Sequence, residues 1–338
     1  MYILTGDIGG TKTRLGLYRF INGSYICQFE ERFESGYFSS FEQIVQKFFI
    51  DEKDNFDISE VKTACFGIPG PVSNGAATLT NLPWQLCEKE LSVALNIPKV
   101  KLYNDVCAAA ASIIHLKEAD LNVVRSGSSV REKNAFALIA PGTGLGVAPL
   151  IKIRGSFYPL ASEVGHIEFA PTDDLQIELL KYLKDKFKRV SYERVVSGQG
   201  IMNIFRFFKE YKHVDIPREL SERMKVDDPA AVVSETGEKE EFEICVKTLD
   251  VFAAALGTLA GDIVLQYMAT GGIYLGGGIP PKMIKKLSDG IMVSSYLHKG
   301  RLTGLVNRTP IYIIKDDRAA LLGGAVLAMQ ESYTERHK

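Results

Sequence analysis

Asp7-Ile8-Gly9-Gly10-Thr11-Lys12-Thr13-Arg14 lies between two apolar, strand-like runs, Tyr2-Ile3-Leu4 before it and Leu15-Gly16-Leu17-Tyr18 after it. A carboxylate, two adjacent glycines and a hydroxyl residue in a strand-to-strand turn suit the phosphates of a nucleotide. The glycines let the backbone take positive φ and bring its N–H groups close to phosphate oxygens. Asp7 is placed to reach a Mg²⁺ ion through the ion's waters. Alone, such a run equally closes an ordinary hairpin.

The device recurs. Asn134 to Ala140 reads as a short buried strand, Pro141-Gly142-Thr143-Gly144-Leu145-Gly146 follows, and Val147 to Ile151 reads as a second strand. A third glycine loop, Gly276-Gly277-Gly278-Ile279-Pro280-Pro281, follows the strand-like Gly272 to Leu275. No glycine-rich run ends in Gly-Lys-Ser/Thr, which excludes a Walker loop. Gly142-Thr-Gly144-Leu-Gly146 also fails the dinucleotide fingerprint, because its third glycine comes one residue early and a strand follows it.

This set resembles the nucleotide site shared by sugar kinases, actin and heat-shock chaperone ATPases. Within that superfamily the chain is most similar to the bacterial glucokinase family of non-ROK type, which lacks a zinc motif. The resembling blocks run almost end to end: Gly67-Ile68-Pro69-Gly70-Pro71-Val72, Thr80-Asn81-Leu82-Pro83-Trp84, Asn104-Asp105, Ala161 to Pro171 and Glu193 to Gly200. The resemblance implies an α/β, two-lobed ribonuclease-H-like (actin/hexokinase) fold with its active-site cleft between lobes. It also implies a small α/β domain, residues 1–110 plus 316–338, and a large one, residues 111–315.

Composition sets the frame. A chain of 338 residues with 46% hydrophobic and 24% charged residues has ordinary globular statistics and length enough for two lobes. A net charge of −1 gives no basic field, so nucleic acid is not an expected partner. Five scattered cysteines without a Cys-x-x-Cys pair, and no signal-like segment at the start, point to reduced thiols in the cytoplasm. Val251 to Ile279 is apolar but carries Asp262, Gln266 and many glycines; it reads as a buried helix plus strand, so no membrane is expected.

Helical spacing is expected at 41–49, 106–116, 175–187, 201–211, 241–267 and 319–330. The polar stretch Lys117 to Lys133 is expected to be an exposed connection. Asp227 to Glu240, acidic and broken by proline, is expected to be a mobile loop or frayed helix start.

Sugar hydroxyls donate and accept, so hexose sites concentrate Asp, Glu, Asn and His. Asn104-Asp105 sits at a strand-to-helix junction, where a carboxylate equally serves as an N-cap. The resemblance makes Asp105 the general base for the sugar 6-hydroxyl and Asn104 a sugar ligand. A helix N-terminus is expected to lower the Asp105 pKa. Phosphoryl transfer tolerates a weak base, because alignment and charge neutralisation dominate. The resemblance likewise assigns the sugar ring to Glu163, His166 and Glu193, with Asn81 touching it from its loop, and gives Glu168 no catalytic part. Trp84 is expected in the core or cleft wall. Cys107, close to Asp105, is a candidate reactive thiol.

Phosphates fall to Asp7, Gly9, Gly10, Thr11 and Lys12 on one side and to Gly142, Thr143 and Gly144 on the other, with Gly277-Gly278-Ile279 forming a shelf under adenosine. Lys12 stands where many relatives carry Asn, so it either meets a phosphate or points to solvent. Replacing Gly144 with Val is expected to damage ATP use more than glucose binding. Ile167 to Glu193 holds no cysteine, so the zinc cluster of ROK proteins has no ligands here. The implied activity is an ATP-dependent, Mg²⁺-using glucokinase acting as a homodimer at the first step of glycolysis. Its rivals are a kinase for another hexose or hexosamine and a non-catalytic sugar sensor.

Overall fold

A computed structural model describes residues 1–52, 55–79, 82–128 and 133–334, with side chains to residue 331. The chain divides into two compact units, Met1–Lys117 with Ile153–Ala161 and Arg318–Lys338, and Glu118–Lys152 with Ser162–Asp317.

The first unit is built on a five-stranded sheet in the order Ser24–Glu34, Lys12–Ile21, Tyr2–Ile8, Val61–Ile68, Lys99–Asn104. The first three strands are antiparallel neighbours and the last two join in parallel. Helix Phe41–Asp51 buries Phe41, Ile44, Val45, Phe48 and Phe49, the i, i+3, i+4, i+7, i+8 stripe of an amphipathic helix. Phe41 meets the rings of Phe66 and Trp84, and Trp84, 3% exposed, is a core residue.

Helix Ala319–Thr334 packs on the same unit, and a glycine pair sets how closely. A Cβ on Gly323 would lie 1.6 Å from the Ala108 carbonyl oxygen, in the helix that begins at Asp105. Thr63 Oγ1 also donates to the Ala328 carbonyl at 3.3 Å. The overlap is with backbone, so no rotamer change relieves it. Gly323→Ala is therefore expected to cost about 2–4 kcal/mol, read as a lowered urea midpoint; a loss under about 1 kcal/mol would mean that this crossing is not tightly packed.

The second unit repeats the plan. Its strands run in the order Leu145–Ile153, Ala135–Pro141, Ile273–Leu275, Ile311–Ile314, Leu121–Arg125, again a hairpin followed by parallel neighbours, with an antiparallel strand at the edge. The 25-residue helix Glu243–Tyr267 runs through its core. This helix is long and apolar enough to cross a membrane, but 78% of its most apolar window is buried within the protein.

Two expectations are corrected. Within 117–133, Leu121–Arg125 is a strand paired with Ile311–Ile314, because edge pairing with a neighbour overrides a weak local signal; residues 129–132 lie outside those described. Within Asp227–Glu240, Pro229–Glu238 is a formed helix. The Asp228 carboxylate caps it by accepting from Ala231 N–H at 2.8 Å, the proline occupies the first turn, and Val232, Val233, Thr236 and Gly237 are buried. What reads as a breaker is the start signal.

Candidate active site

The hairpin turns singled out in the sequence join Tyr2–Ile8 to Lys12–Ile21 in the first unit and Ala135–Pro141 to Leu145–Ile153 in the second. In each, a glycine-containing loop leaves the parallel neighbour at its carboxyl end. Open α/β sheets bind ligands at such carboxyl ends.

In the first unit, half-buried Asp7 lies near the end of Tyr2–Ile8, opposite Arg14 in the ladder. Gly9 N–H donates to the Lys12 carbonyl at 2.9 Å, and a Cβ on Gly9 would stand 2.7 Å from that oxygen. Glycine is required at 9 by this close approach and not by positive φ, which corrects the reason expected. Thr11 and Lys12 are exposed, and the Lys12 ammonium pairs at 3.5 Å with Glu34, a solvent-facing contact of little energetic weight. Ser35, fully buried and unnoticed in the sequence, braces the turn. Its N–H donates to the Thr11 carbonyl (2.8 Å), its hydroxyl donates to the Gly9 carbonyl (2.9 Å), and Thr13 Oγ1 lies 2.9 Å from that hydroxyl.

At the end of Lys99–Asn104, the capping role falls to Asn104. Its Oδ1 accepts from Val106 N–H (3.0 Å) and Cys107 N–H (3.2 Å), and its Nδ2 donates to the Gly70 carbonyl (3.2 Å). Asp105, the first helical residue, accepts from Val106 N–H through Oδ1 at 2.8 Å, and its carboxylate also interacts with its own backbone N–H and with the Asn104 side chain. Burial pushes the Asp105 carboxyl up from the ordinary aspartate range; the Val106 N–H bond opposes this but is outweighed. The expected lowering by the helix end is thereby reversed. Cys107 is 3% exposed, which removes it as a reactive thiol.

In the second unit, the 142–144 turn is closed by Gly142 N–H donating to the Gly144 carbonyl (2.8 Å). The Gly142 carbonyl accepts from Gly198 N–H (2.8 Å), at the start of helix Gly198–Glu210. Gly277 has φ +77°, and its Cβ would lie 2.7 Å from the Pro141 carbonyl, so only glycine lets the 277–279 loop press against the turn. These two loops open on a cavity of about 980 Å³. One wall is a face of helix Gly198–Glu210 (Gln199, Met202, Arg206), and another is helix Pro229–Glu238 through Ala231 and Ser234. A wide cavity lined by two glycine turns and by both apolar and polar side chains suits a flat heterocycle followed by phosphates.

Glu163, His166 and Glu193 belong to the same unit. Segment 167–169 pairs with 190–192: Phe169 N–H donates to the Val190 carbonyl (3.0 Å) and Tyr192 N–H to the Ile167 carbonyl (2.9 Å). Arg189 ties Glu168 (2.9 Å) to the His166 carbonyl, so Glu168 supports the segment. His166 Nε2 lies 3.9 Å from Glu163 Oε2, and both side chains are exposed. Gly165 anchors them, since a Cβ there would lie 2.0 Å from the Leu145 carbonyl oxygen. Glu193 Oε2 accepts from the N–H of the same Leu145 at 3.0 Å. Leu145 therefore joins the carboxylates to the 142–144 turn. Asn81 lies outside the described residues.

Comparison with known proteins decides the family. A sequence profile of glucokinases matches residues 4–331. The chain belongs to the glucokinase family. It is 36% identical to a glucokinase of Trichormus variabilis over 340 residues, covering 96% of this chain and 98% of that one. The crystal structure of a glucokinase from an Antarctic psychrotroph, 29% identical, superposes with a TM-score of 0.86 over 97% of this chain and 99% of the other. A glucokinase from Balamuthia mandrillaris crystallised with glucose shares the fold at 19% identity, with a TM-score of 0.77 and coverage of 97% and 93%. The α/β, two-lobed sugar-kinase fold expected from the sequence is thus the fold of this glucokinase-family chain, and the chain is a hexose kinase.

Two groups in this glucokinase-family site escaped the sequence reading. Ser35 carries no signal, because Ser35-Gly36 reads as a plain turn. The cavity-facing residues of helix Gly198–Glu210 had a legible one, Ser197 as N-cap accepting from Gly200 N–H (2.9 Å), followed by Gln199, Met202 and Arg206 on one helical face.

Proposed function

We propose that this chain transfers the γ-phosphoryl group of ATP to the 6-hydroxyl of D-glucose, giving glucose 6-phosphate and ADP at the first step of glycolysis. Asp105 supplies the observation that carries the reading. Asn104 caps the helix and fixes the Asp105 carboxylate at the end of the strand, where burial raises its basicity. In the proposed reaction Asp105 accepts the hydroxyl proton as the new P–O bond forms, Glu163, His166 and Glu193 take ring hydroxyls, and Asn104 and Asn81 flank the sugar. The transition state for phosphoryl transfer is loose, so placement of the hydroxyl matters more than the strength of the base.

The turns at 9–11 and 142–144 would receive the phosphates through backbone N–H groups, and the cavity beside Gly278 and Ile279 would take the adenosine. A Mg²⁺ ion arriving with the nucleotide fits a site that offers one carboxylate, Asp7. Among the described residues no group of three or more His, Cys, Asp or Glu could hold a metal, and Mg²⁺ typically keeps waters and phosphate oxygens as ligands. When bound, the ion neutralises phosphate charge. Zinc has no part in this proposal. Five free cysteines suit action in a reducing cytoplasm, and the homodimer implied by the resemblance belongs to the same proposal.

A coupled ADP-release assay with MgATP across glucose, mannose, fructose, galactose, glucosamine and N-acetylhexosamines tests the reading. Strong turnover on glucose is expected. Preference for another sugar would move the specificity within the fold, because a site that hydrogen-bonds hydroxyls rejects mismatched ones strongly. Glucose binding without turnover on any sugar would make the chain a sensor.

A further inference from the structure

Glu193 sits in a closed set of contacts within the second unit. Its Oε2 accepts from Leu145 N–H at 3.0 Å, and a Cβ on Gly144 would stand 2.6 Å from that same oxygen. Its carbonyl accepts from Ser197 Oγ at 2.7 Å. The next residue, Gly198, donates to the Gly142 carbonyl at 2.8 Å. The Glu193 side chain thus holds one end of the 142–145 turn directly, and the 197–198 segment that its carbonyl braces holds the other. A carboxylate offers about four lone-pair positions, and among the described residues the Glu193 carboxylate has no hydrogen bond besides that from Leu145.

We propose that Glu193 is the positioning residue through which sugar and nucleotide tighten each other's binding. This rests on the reading above, in which Glu193 contacts the sugar and 142–144 contacts the phosphates. A sugar hydroxyl donating to the remaining lone pairs immobilises the carboxylate, and the Leu145 N–H bond passes that restraint to the turn. Freedom that the nucleotide would otherwise have to remove is then already gone. Linkage makes the effect equal in both directions.

One consequence runs against the expectation from sequence. Gly144 belongs to the phosphate turn, yet a methyl group there occupies the place of Glu193 Oε2. The turn is held by the Gly142–Gly144 and Gly142–Gly198 backbone bonds, whereas the carboxylate ends a flexible side chain. The carboxylate therefore yields, and substitution at 144 damages the sugar site first.

The test is titration calorimetry of the full chain with glucose and with Mg–AMPPNP, each alone and with the other saturating. It is run for the wild type, Gly144→Ala and Glu193→Gln, with thermal melts to verify folding. The wild type is expected to show mutual tightening of about fivefold or more, the same in both directions. Gly144→Ala is expected to weaken glucose about tenfold and to shrink the mutual factor below about twofold. Its affinity for AMPPNP alone should fall less than its affinity for glucose, because the turn's own backbone bonds remain.

Glu193→Gln keeps an oxygen for Leu145 but turns an NH₂ toward the sugar. It should lose glucose affinity and at least about half of the mutual factor. Wild-type glucose affinity and mutual factor in Gly144→Ala, with AMPPNP alone weakened, would overturn the proposal. So would a wild type that binds both ligands independently. Should Gly144→Ala fail to fold, an undiminished mutual factor in Glu193→Gln overturns it. A wild type that binds AMPPNP but no glucose refutes the sugar-site reading itself and this proposal with it, and is seen before any variant is compared.

Discussion

Asp105→Asn is expected to lower kcat by about 10³-fold while leaving glucose affinity within several-fold. The amide is isosteric and keeps an acceptor for Val106 N–H, but it cannot take the hydroxyl proton. The same substitution is expected to leave the melting temperature unchanged or higher at pH 7. The sign follows from burial, which raises the folded-state pKa of Asp105 above its unfolded value. The charged form is therefore disfavoured in the folded protein, a cost present above the folded pKa and relieved as pH falls through it. A neutral amide never bears that cost. Activity moves the other way, because the base must be deprotonated. The acid limb of wild-type kcat should lie above the ordinary aspartate range, and the residual activity of Asp105→Asn should lack that limb. Steady-state kinetics from pH 4 to 8, with glucose titrations and thermal melts, measure all of this. Retained turnover would remove Asp105 from its role.

Gly165→Ala is expected to reduce kcat/KM for glucose by about 10²-fold with the fold intact. The new Cβ would meet the Leu145 carbonyl at 2.0 Å, and since both partners are backbone the 164–166 turn must move as a body. That displaces Glu163 and His166 together, and a shift near 1 Å in a positioning group costs about 10²-fold. Circular dichroism checks the fold, and glucose-dependent kinetics check the effect. A wild-type KM for glucose in a folded variant would show that residues 163–166 do not hold the sugar.

The features legible in the sequence were those carried by local pattern. Glycine pairs between alternating apolar runs marked both hairpin turns, and the stripe from Phe41 to Phe49 marked its helix. What stayed hidden depends on tertiary neighbours. Leu121–Arg125 is a strand only because Ile311–Ile314 lies beside it. Helix Pro229–Glu238 had a readable cap and first-turn proline, masked by acidic residues that pair across elements, such as Glu238 accepting from the Lys285 and Lys286 N–H groups.

The site divides in the same way. Residue types at Asp105, Glu163, His166 and Glu193 were readable through the family resemblance. The raised pKa of Asp105 was not, because desolvation is a property of the packed helix end. The bond from Leu145 to Glu193 spans 48 residues, and the brace from Ser35 to Gly9 spans 26, distances at which sequence pattern carries no contact information.

As proposed above, this chain moves a phosphoryl group from ATP to one hydroxyl of glucose. Phosphorus NMR of wild-type protein with glucose and MgATP tests it most directly. A single phosphomonoester resonance coupled to the C6 protons is expected, growing in step with ADP. Release of inorganic phosphate in place of that ester, or esterification at another carbon, would contradict it.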